Sequence, residues 1–409
     1  MPHVVVMVTT SYPRFPGDSV GTFMEPIAQS VAARGHVVHV VAPWHPLLTR
    51  AREEHGVQFH FYRYAPLRSL NVFGYAAAMR ADVSVRGAAY LAAPLALAQG
   101  WRTARKIARR HRATVMHGHW VVPGGITASL AAPHIPLVVS LHGSDVYVAE
   151  TFTPARLAAR RAFRRAGFVT ACSADLATRA IALGADPARL ETVPYGVDVA
   201  RFHPDAIARR ARRQELGVGD DVPLCVAAGR LVRKKGFEYL IDAVASAPGV
   251  VLAVAGEGTL REELYERARA AGVLERVRLL GNQPQDRIAE LFAAADVICI
   301  PSVRDDRGNV DGLPNVVLEA LASGTPVITT SAGGIGAVVD HGATAMVVPE
   351  RDPGAIAAAI GRVAADPESA RRLGAAGRAV VSEQFSWNRT AERMEAAYDR
   401  ALAFTSRPS

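Results

Sequence analysis

Short apolar runs of strand length alternate with helix-length stretches along this chain, and the scheme runs through twice. Parallel strands need a long crossover, usually a helix, so this alternation restricts the chain to open parallel sheets covered by helices. The first half carries HVVVMVTT (3–10), HVVHVVAP (36–43), ATVMHGHW (113–120), PLVVSLHG (136–143) and GFVTACS (167–173). The second carries PLCVAAGR (223–230), VVLAVAGEG (250–258), RVRLLGN (276–282), DVICIPS (296–302) and PVITTSAGG (326–334). Turn residues cluster between them in VPYGVDVARFHPD (193–205). At 409 residues the chain exceeds what one growing core sustains. We therefore expect two Rossmann-like domains, 1–195 and 196–385, and a closing helix over 386–409. In that helix Trp387, Met394, Tyr398 and Leu402 form a stripe for packing back on the first domain.

Between the first two strands, GTFMEPIAQSVAARGH spaces Phe23, Ile27 and Val31 as one apolar helix face that stops at Gly35. Residues 66–100 are apolar, dotted with arginine and contain Pro94, which suggests irregular helices or a lid. Half the residues are hydrophobic and 21% are charged, which argues against disorder. The most apolar stretch, AAYLAAPLALAQ (88–99), is too short to span a bilayer and is interrupted by Pro94. No basic leader precedes the first strand, and Cys172, Cys225 and Cys299 each fall in or beside an apolar run. Reduced, buried cysteines and a cytoplasmic location, with possible placement at the inner membrane face, are the expectation.

Charge is uneven. Residues 1–200 carry 21 Lys/Arg against 11 Asp/Glu, a net of +10, and residues 201–409 carry 26 against 27, a net of −1. The excess concentrates in WRTARKIARRHR (101–112) and RLAARRAFRRAG (156–167). Two readings stand: solvated helix faces, or attraction to an anionic surface such as a membrane leaflet or a phosphate-bearing acceptor. Nucleic acid is not expected as a partner, because no aromatic stacking set or binding motif accompanies the charge.

Ligands bind at the carboxyl ends of open parallel sheets. Two such sheets facing one another would form a cleft. Its first wall would be loops 10–21, 117–125 and 142–145, and its second 229–235, 256–258, 302–319 and 333–334. The second wall holds VDGLPNVVLEALASGTPVIT (310–329), where Pro314 suits the first helical position and Gly324 the stop. Asp311 then sits on the entry loop and Glu319 about one turn into the helix, on either side of an anion-favouring N-terminus. AGRLVRKKG (228–236) leaves a strand with Arg230 and reaches Arg233, Lys234 and Lys235 near a helix start, a spacing that can grip a diphosphate from two sides. By itself this is also what a basic surface turn looks like. GEG (256–258) falls short of a dinucleotide fingerprint.

GRLVRKKG, VAGEG, RVRLLGN and DGLPNVVLEALASGTPVI together resemble glycosyltransferase family 4, which has the GT-B fold. GDSVGTFMEPIAQSVAARGHVVHVVAP and PLVVSLHGSDV resemble that family's acceptor-side domain. The resemblance implies retaining transfer of a hexose-type sugar from a nucleotide diphospho-sugar, with UDP- or GDP-sugars the first donors to expect, to a hydroxyl acceptor. It implies no required cofactor and no metal. By position, Arg230 and Lys235 match the diphosphate-binding pair. Asp311 and Glu319 match an E-x7-E element whose first carboxylate meets the donor sugar and whose second holds the ribose. Asp311 departs from the usual Glu and is one methylene shorter.

Gly312, Leu313, Pro314, Asn315 and Val316 fall inside that element, and Gly256 and Gly258 in the neighbouring loop. His142 matches the active-site histidine, and Gly21, with Gly17, the glycine turn after the first strand. The catalytic set implied is His142, Arg230, Lys235 and Asp311. Gly17, His119 and Asp145 are candidates for the acceptor side, with orientation of His142 the other reading of Asp145, and His117 with His119 lacks the partners of a metal set. Competing readings are an epimerase or glycan phosphorylase on a similar scaffold, and a catalytically silent nucleotide-sugar-binding partner protein.

Overall fold

A computed structural model of the chain describes residues 2–15, 18, 20–65, 71, 79–81, 84–85, 87–306 and 308–405, with 79–92 described by backbone alone. It divides into two compact units, Met1–Pro194 with Trp387–Ser409, and Tyr195–Ser386.

The strands of the first unit are β1 (Val4–Val8), β2 (Val37–Pro43), β3 (Glu53–Glu54), β4 (Val57–Tyr62), β5 (Met79–Ala81), β6 (Ser84–Val85), β7 (Val115–His119), β8 (Leu137–Leu141), β9 (Phe168–Ala171) and β10 (Leu190–Thr192). Eight of them form a sheet in the order β10-β9-β8-β7-β1-β2-β4-β3, while β5 and β6 pair separately. All neighbours in the large sheet are parallel except β3 and β4. Strands β1, β2, β7 and β8 are almost wholly buried, as expected where helices cover both faces. The strand order turns at β1, whose neighbours are β2 and β7. A ligand crevice belongs at such a reversal.

The helix Met24–Ala33 buries Met24, Ile27, Ala28 and Val31. Phe23 stands outside this buried face as the helix cap, which shifts the predicted stripe by one residue. Residues Gly87–Arg110 form one continuous helix with Pro94 inside it, in place of the irregularity expected there. Pro94 lies in the second turn and removes a single backbone donor. Of the 66–100 stretch, residues 66–70, 72–78, 82–83 and 86 lie outside the described residues. The helix Trp387–Thr405 belongs to this unit and buries Thr390, Ala391, Met394, Ala397, Tyr398 and Ala401.

The second unit holds β11 (Leu224–Ala228), β12 (Val251–Ala255), β13 (Val277–Leu279), β14 (Val297–Ile300), β15 (Val327–Thr329) and β16 (Met346–Val347). They form one parallel sheet in the order β13-β12-β11-β14-β15-β16, which turns between β11 and β14. Its core packs Leu240, Ile241 and Val244 from the helix Phe237–Ala245 and Ile356 and Ile360 from Pro353–Ala365 around Cys225, Leu252, Val254 and Ile328. Cys172, Cys225 and Cys299 are all buried and outside any disulfide. Among the described residues no helix is long and apolar enough to cross a membrane.

Candidate active site

In the second unit the turning point of the sheet brings together the loops that follow β11 and β14. The loop after β11 ends in a tight turn, Arg233–Lys235, closed by Gly236 at φ +67°. A Cβ on Gly236 would lie 2.0 Å from the Pro301 carbonyl oxygen, so only glycine lets the two loops touch. Val303 N–H donates to the Lys234 carbonyl at 2.9 Å and pins the contact. The loops therefore present two ammonium groups to one carboxylate. Lys234 Nζ lies 3.0 Å from Asp311 Oδ1, and Lys235 Nζ 2.6 Å from Asp311 Oδ2. All three side chains are largely enclosed, at 9%, 11% and 16% exposure. Burial alone would raise the Asp311 carboxyl, but the charges of Lys235 and Lys234 outweigh it and hold it well below the usual carboxylate range.

The helix Asn315–Ala322 starts one residue later than its sequence suggests. Pro314 is the extended cap, and the stop at Gly324 has φ +73°. Glu319 does lie one turn in. It accepts from Gln285 Nε2 at 3.3 Å, and Gln285 accepts from Arg201 Nη1 at 2.7 Å. Burial pushes the Glu319 carboxyl up to about 7, against opposing pulls from Arg201, Lys235 and the Gln285 bond. Gly312, Leu313 and Pro314 are buried at the helix entry, whereas Asn315 and Val316 are half-buried. Ser302 Oγ and Asn315 Oδ1 are buried without a hydrogen-bond partner among the described residues, on the segments either side of Asp311. Such atoms await a polar ligand or water. Arg230 is exposed on the β11 loop. Arg233 is committed elsewhere, in a two-pronged pair with Glu263 at 2.6 Å.

Gly256 and Gly258 owe their glycine identity to loop packing. A Cβ on Gly256 would lie 1.9 Å from the Gly229 carbonyl oxygen, and one on Gly258 2.4 Å from that of Leu231. Gly333 does the same against the Asp311 carbonyl, at 2.0 Å. Gln285 and Arg201 are contacts that sequence reasoning passes over, as is the pairing of Lys234 with Asp311. Lys234 stood beside Lys235 in the quoted motif, but Arg201 and Gln285 carry no local signal.

In the first unit the turn after β8 carries His142 and Gly143 (φ +122°), and Asp145 lies in the first turn of the helix Ser144–Thr151 that follows. Asp145 Oδ1 accepts from the backbone N–H of Gly143 at 3.0 Å and of His142 at 3.3 Å, and Oδ2 from Val121 N–H at 2.7 Å. Burial pushes this carboxyl up to about 6 despite those bonds. The His142 ring packs against Phe23 and Trp120, each 4.8 Å away, and stacks on His119 at 5.2 Å. His142 Nε2 and His119 Nδ1 share a 3.0 Å hydrogen bond. His117 backs His119, with ring centroids 4.0 Å apart, and bonds Tyr398 Oη at 2.9 Å and Ser140 Oγ at 2.7 Å. Burial lowers His117 and His142 to about 3, so both imidazoles are neutral at physiological pH.

His119 at 0% and Asp145 at 3% exposure offer no surface to an acceptor. Both are bonded to His142 or its loop, the orienting role that the sequence also allows for Asp145. Gly21, at φ +67°, opens the helix that carries Phe23, and a Cβ there would press on Ser11 Oγ at 3.1 Å. Gly17 lies outside the described residues.

A family model described as "Glycosyl transferases group 1" matches residues 208–380, and one described as "Glycosyltransferase Family 4" matches 20–201. The GDP-mannose-dependent alpha-(1-6)-phosphatidylinositol monomannoside mannosyltransferase of Mycolicibacterium smegmatis is 36% identical over 264 residues, covering 63% of this chain and 68% of the relative. The chain belongs to the family 4 glycosyltransferases. This glycosyltransferase is also 36% identical to the D-inositol 3-phosphate glycosyltransferase of Nocardia farcinica over 231 residues, 54% of this chain and 49% of that one. The chain thus spans about half the length of that relative. Among solved structures, the Anabaena protein HepE in complex with UDP superposes with a TM-score of 0.75 at 20% identity, covering 97% of this chain and 99% of that one. Sucrose-phosphate synthase from Thermosynechococcus elongatus superposes at 0.78 and 20% identity, covering 98% and 99%. The fold of this glycosyltransferase is GT-B, and the enzyme is a hexosyltransferase.

The raised Glu319 has a sign that can be checked. The folded enzyme holds this proton between the ordinary value of 4.5 and about 7, where the unfolded chain has released it. The contribution of Glu319 to stability is therefore greatest below 4.5 and is lost as pH rises through about 7. Thermal unfolding of ligand-free wild type, compared with Glu319→Gln across this window, should show wild type losing ground as pH rises. Parallel curves would refute the assignment.

Proposed function

We propose that this glycosyltransferase is a retaining enzyme that moves a hexose from a nucleoside diphosphate sugar onto a hydroxyl acceptor. The observation that carries the reading is the pair of lysines fixed on Asp311 at the turning point of the second sheet. Two ammonium groups and one carboxylate leave a net positive charge there. Arg230 on the same loop and the N-terminus of the helix Asn315–Ala322 add to it. Glu319, braced by Gln285, is assigned to the ribose diol. GDP-mannose is the first donor to test and an inositol-bearing hydroxyl compound the first acceptor, on the strength of the mannosyl- and inositol-phosphate glycosyltransferase relatives.

The barrier to such a transfer lies in parting an oxocarbenium-like sugar from a diphosphate. Cations placed at the departing oxygens stabilise charge as it develops. The C1–O bond to phosphate breaks, the acceptor oxygen bonds C1 on the same face, and the acceptor proton passes to the phosphate oxygen just released. Retention through a covalent intermediate would need a nucleophilic carboxylate. Asp311 suits that role poorly, because two lysines lower its basicity. Its proposed work is to hold the ammonium groups and meet a sugar hydroxyl. His142, kept neutral, is assigned a hydrogen bond to the sugar. Lys235→Ala and Arg230→Ala should each slow turnover with a saturating donor by about 2–4 kcal/mol in barrier. Near-normal turnover in both would remove the leaving-group argument. Donor incubated without acceptor should stay unchanged, whereas conversion would indicate an epimerase.

The basic first unit favours a peripheral site of action on an anionic cytoplasmic membrane surface. Leu157, Arg160, Arg161 and Arg164 share an exposed face of the helix Thr153–Arg165, with Phe152 48% exposed at its start. Flotation with anionic liposomes at low salt should carry the protein upward, and Arg160→Glu with Arg161→Glu should abolish this. No flotation of wild type would end the reading.

A further inference from the structure

Apart from the residues discussed so far, three histidines from distant parts of the first unit converge. His39 lies on β2, His60 on β4, and His111 directly follows the helix Gly87–Arg110. One ring nitrogen from each can be chosen so that all three lie within 4.8 Å of one another. His39 Nδ1 and His60 Nε2 are 3.1 Å apart, and the His39 and His111 ring centroids are 4.1 Å apart. His39 is wholly buried, and its Nε2 has no hydrogen-bond partner among the described residues. His60 and His111 are half-buried, so the cluster opens toward solvent on one side.

We infer that His39, His60 and His111 form a three-histidine site for a zinc-class divalent cation, which fastens β2 and β4 to the end of the helix Gly87–Arg110. Tetrahedral zinc with nitrogen ligands at about 2.0–2.1 Å sets those nitrogens roughly 3.3 Å apart, close to the His39–His60 spacing. Moderate side-chain rotation brings the third nitrogen to the same point. An all-imidazole donor set with no carboxylate selects zinc, copper or nickel over magnesium or calcium. Burial keeps His39 and His60 low, at about 4, so both are neutral donors at physiological pH. The fourth position faces the open side, where water completes the shell.

The site would be structural. It stands apart from the histidines that position His142, and it joins segments 21 and 51 residues apart in sequence, as read from residues 39, 60 and 111. Metal bound to the folded unit and not to the unfolded chain stabilises it by mass action.

The test uses the full-length chain without an affinity tag, stripped with EDTA, loaded with Zn²⁺ and desalted. Elemental analysis should find about one Zn²⁺ per chain, and Co²⁺ loading should give the intense visible bands of a four-coordinate site. Competition with a chromogenic chelator should show that His60→Gln and His111→Gln each weaken Zn²⁺ by more than the roughly 10–100-fold that loss of an outer-shell partner costs. The rise in melting temperature on adding Zn²⁺ should vanish in both variants. Wild type that retains no Zn²⁺ overturns the inference even if a variant fails to fold. So does retention that is undiminished in either variant.

Discussion

A carboxylate enclosed between two lysine ammonium groups organises the second unit of this enzyme. Burying three charges is costly, and such clusters come close to breaking even as stabilisers. The arrangement is better understood as a device for placing charge. Asp311 neutralises one lysine, fixes the direction of both, and leaves one net cation where the loops after β11 and β14 meet. Everything that positions the cluster is backbone: the left-handed turn at Gly236, the Val303–Lys234 bond, and the Gly333 contact with the Asp311 carbonyl. A side chain at either glycine would part the loops and separate the charges.

The first unit solves the opposite problem. His142 is kept uncharged, by burial and by a chain of neutral partners running through His119 and His117 to Tyr398. Asp145 contributes through the backbone, tying the His142 loop to Val121 with all its acceptor capacity directed at amides. The helix Trp387–Thr405 thereby supports residues far earlier in the chain, and truncating it would remove the hydroxyl that orients His117.

Much of this is legible in the sequence where a local rule governs it. The major strands follow from runs of apolar residues, and the helix carrying Glu319 from Pro314 and Gly324, though Pro314 proves to be the cap and not the first helical residue. Short or half-exposed edges escape. The reading omits β4, whose V-Q-F-H-F-Y alternation was available, and β10 and β16, which are only three and two residues long. Site geometry is legible only as far as a motif reaches. Lys235 and Asp311 can be named from spacing, but Lys234 as a second partner depends on a turn set by Gly236. Gln285 and Arg201 meet Glu319 only once the unit is folded. His119 and Asp145 sit at or just beyond strand ends, and their burial and their bonds to His142 and its loop come from the folded unit and not from the motif.

The central claim is that the lysines held by Asp311 read a diphosphate. Calorimetric titration with GDP, GMP, UDP and UMP tests it most directly, on wild type and on Lys235→Met. For the base that binds, the diphosphate should bind at least about tenfold more tightly than the monophosphate, a difference of about 1.4 kcal/mol, and the preference should largely disappear in Lys235→Met. Equal affinity for monophosphate and diphosphate, or a preference untouched by the substitution, would contradict the account.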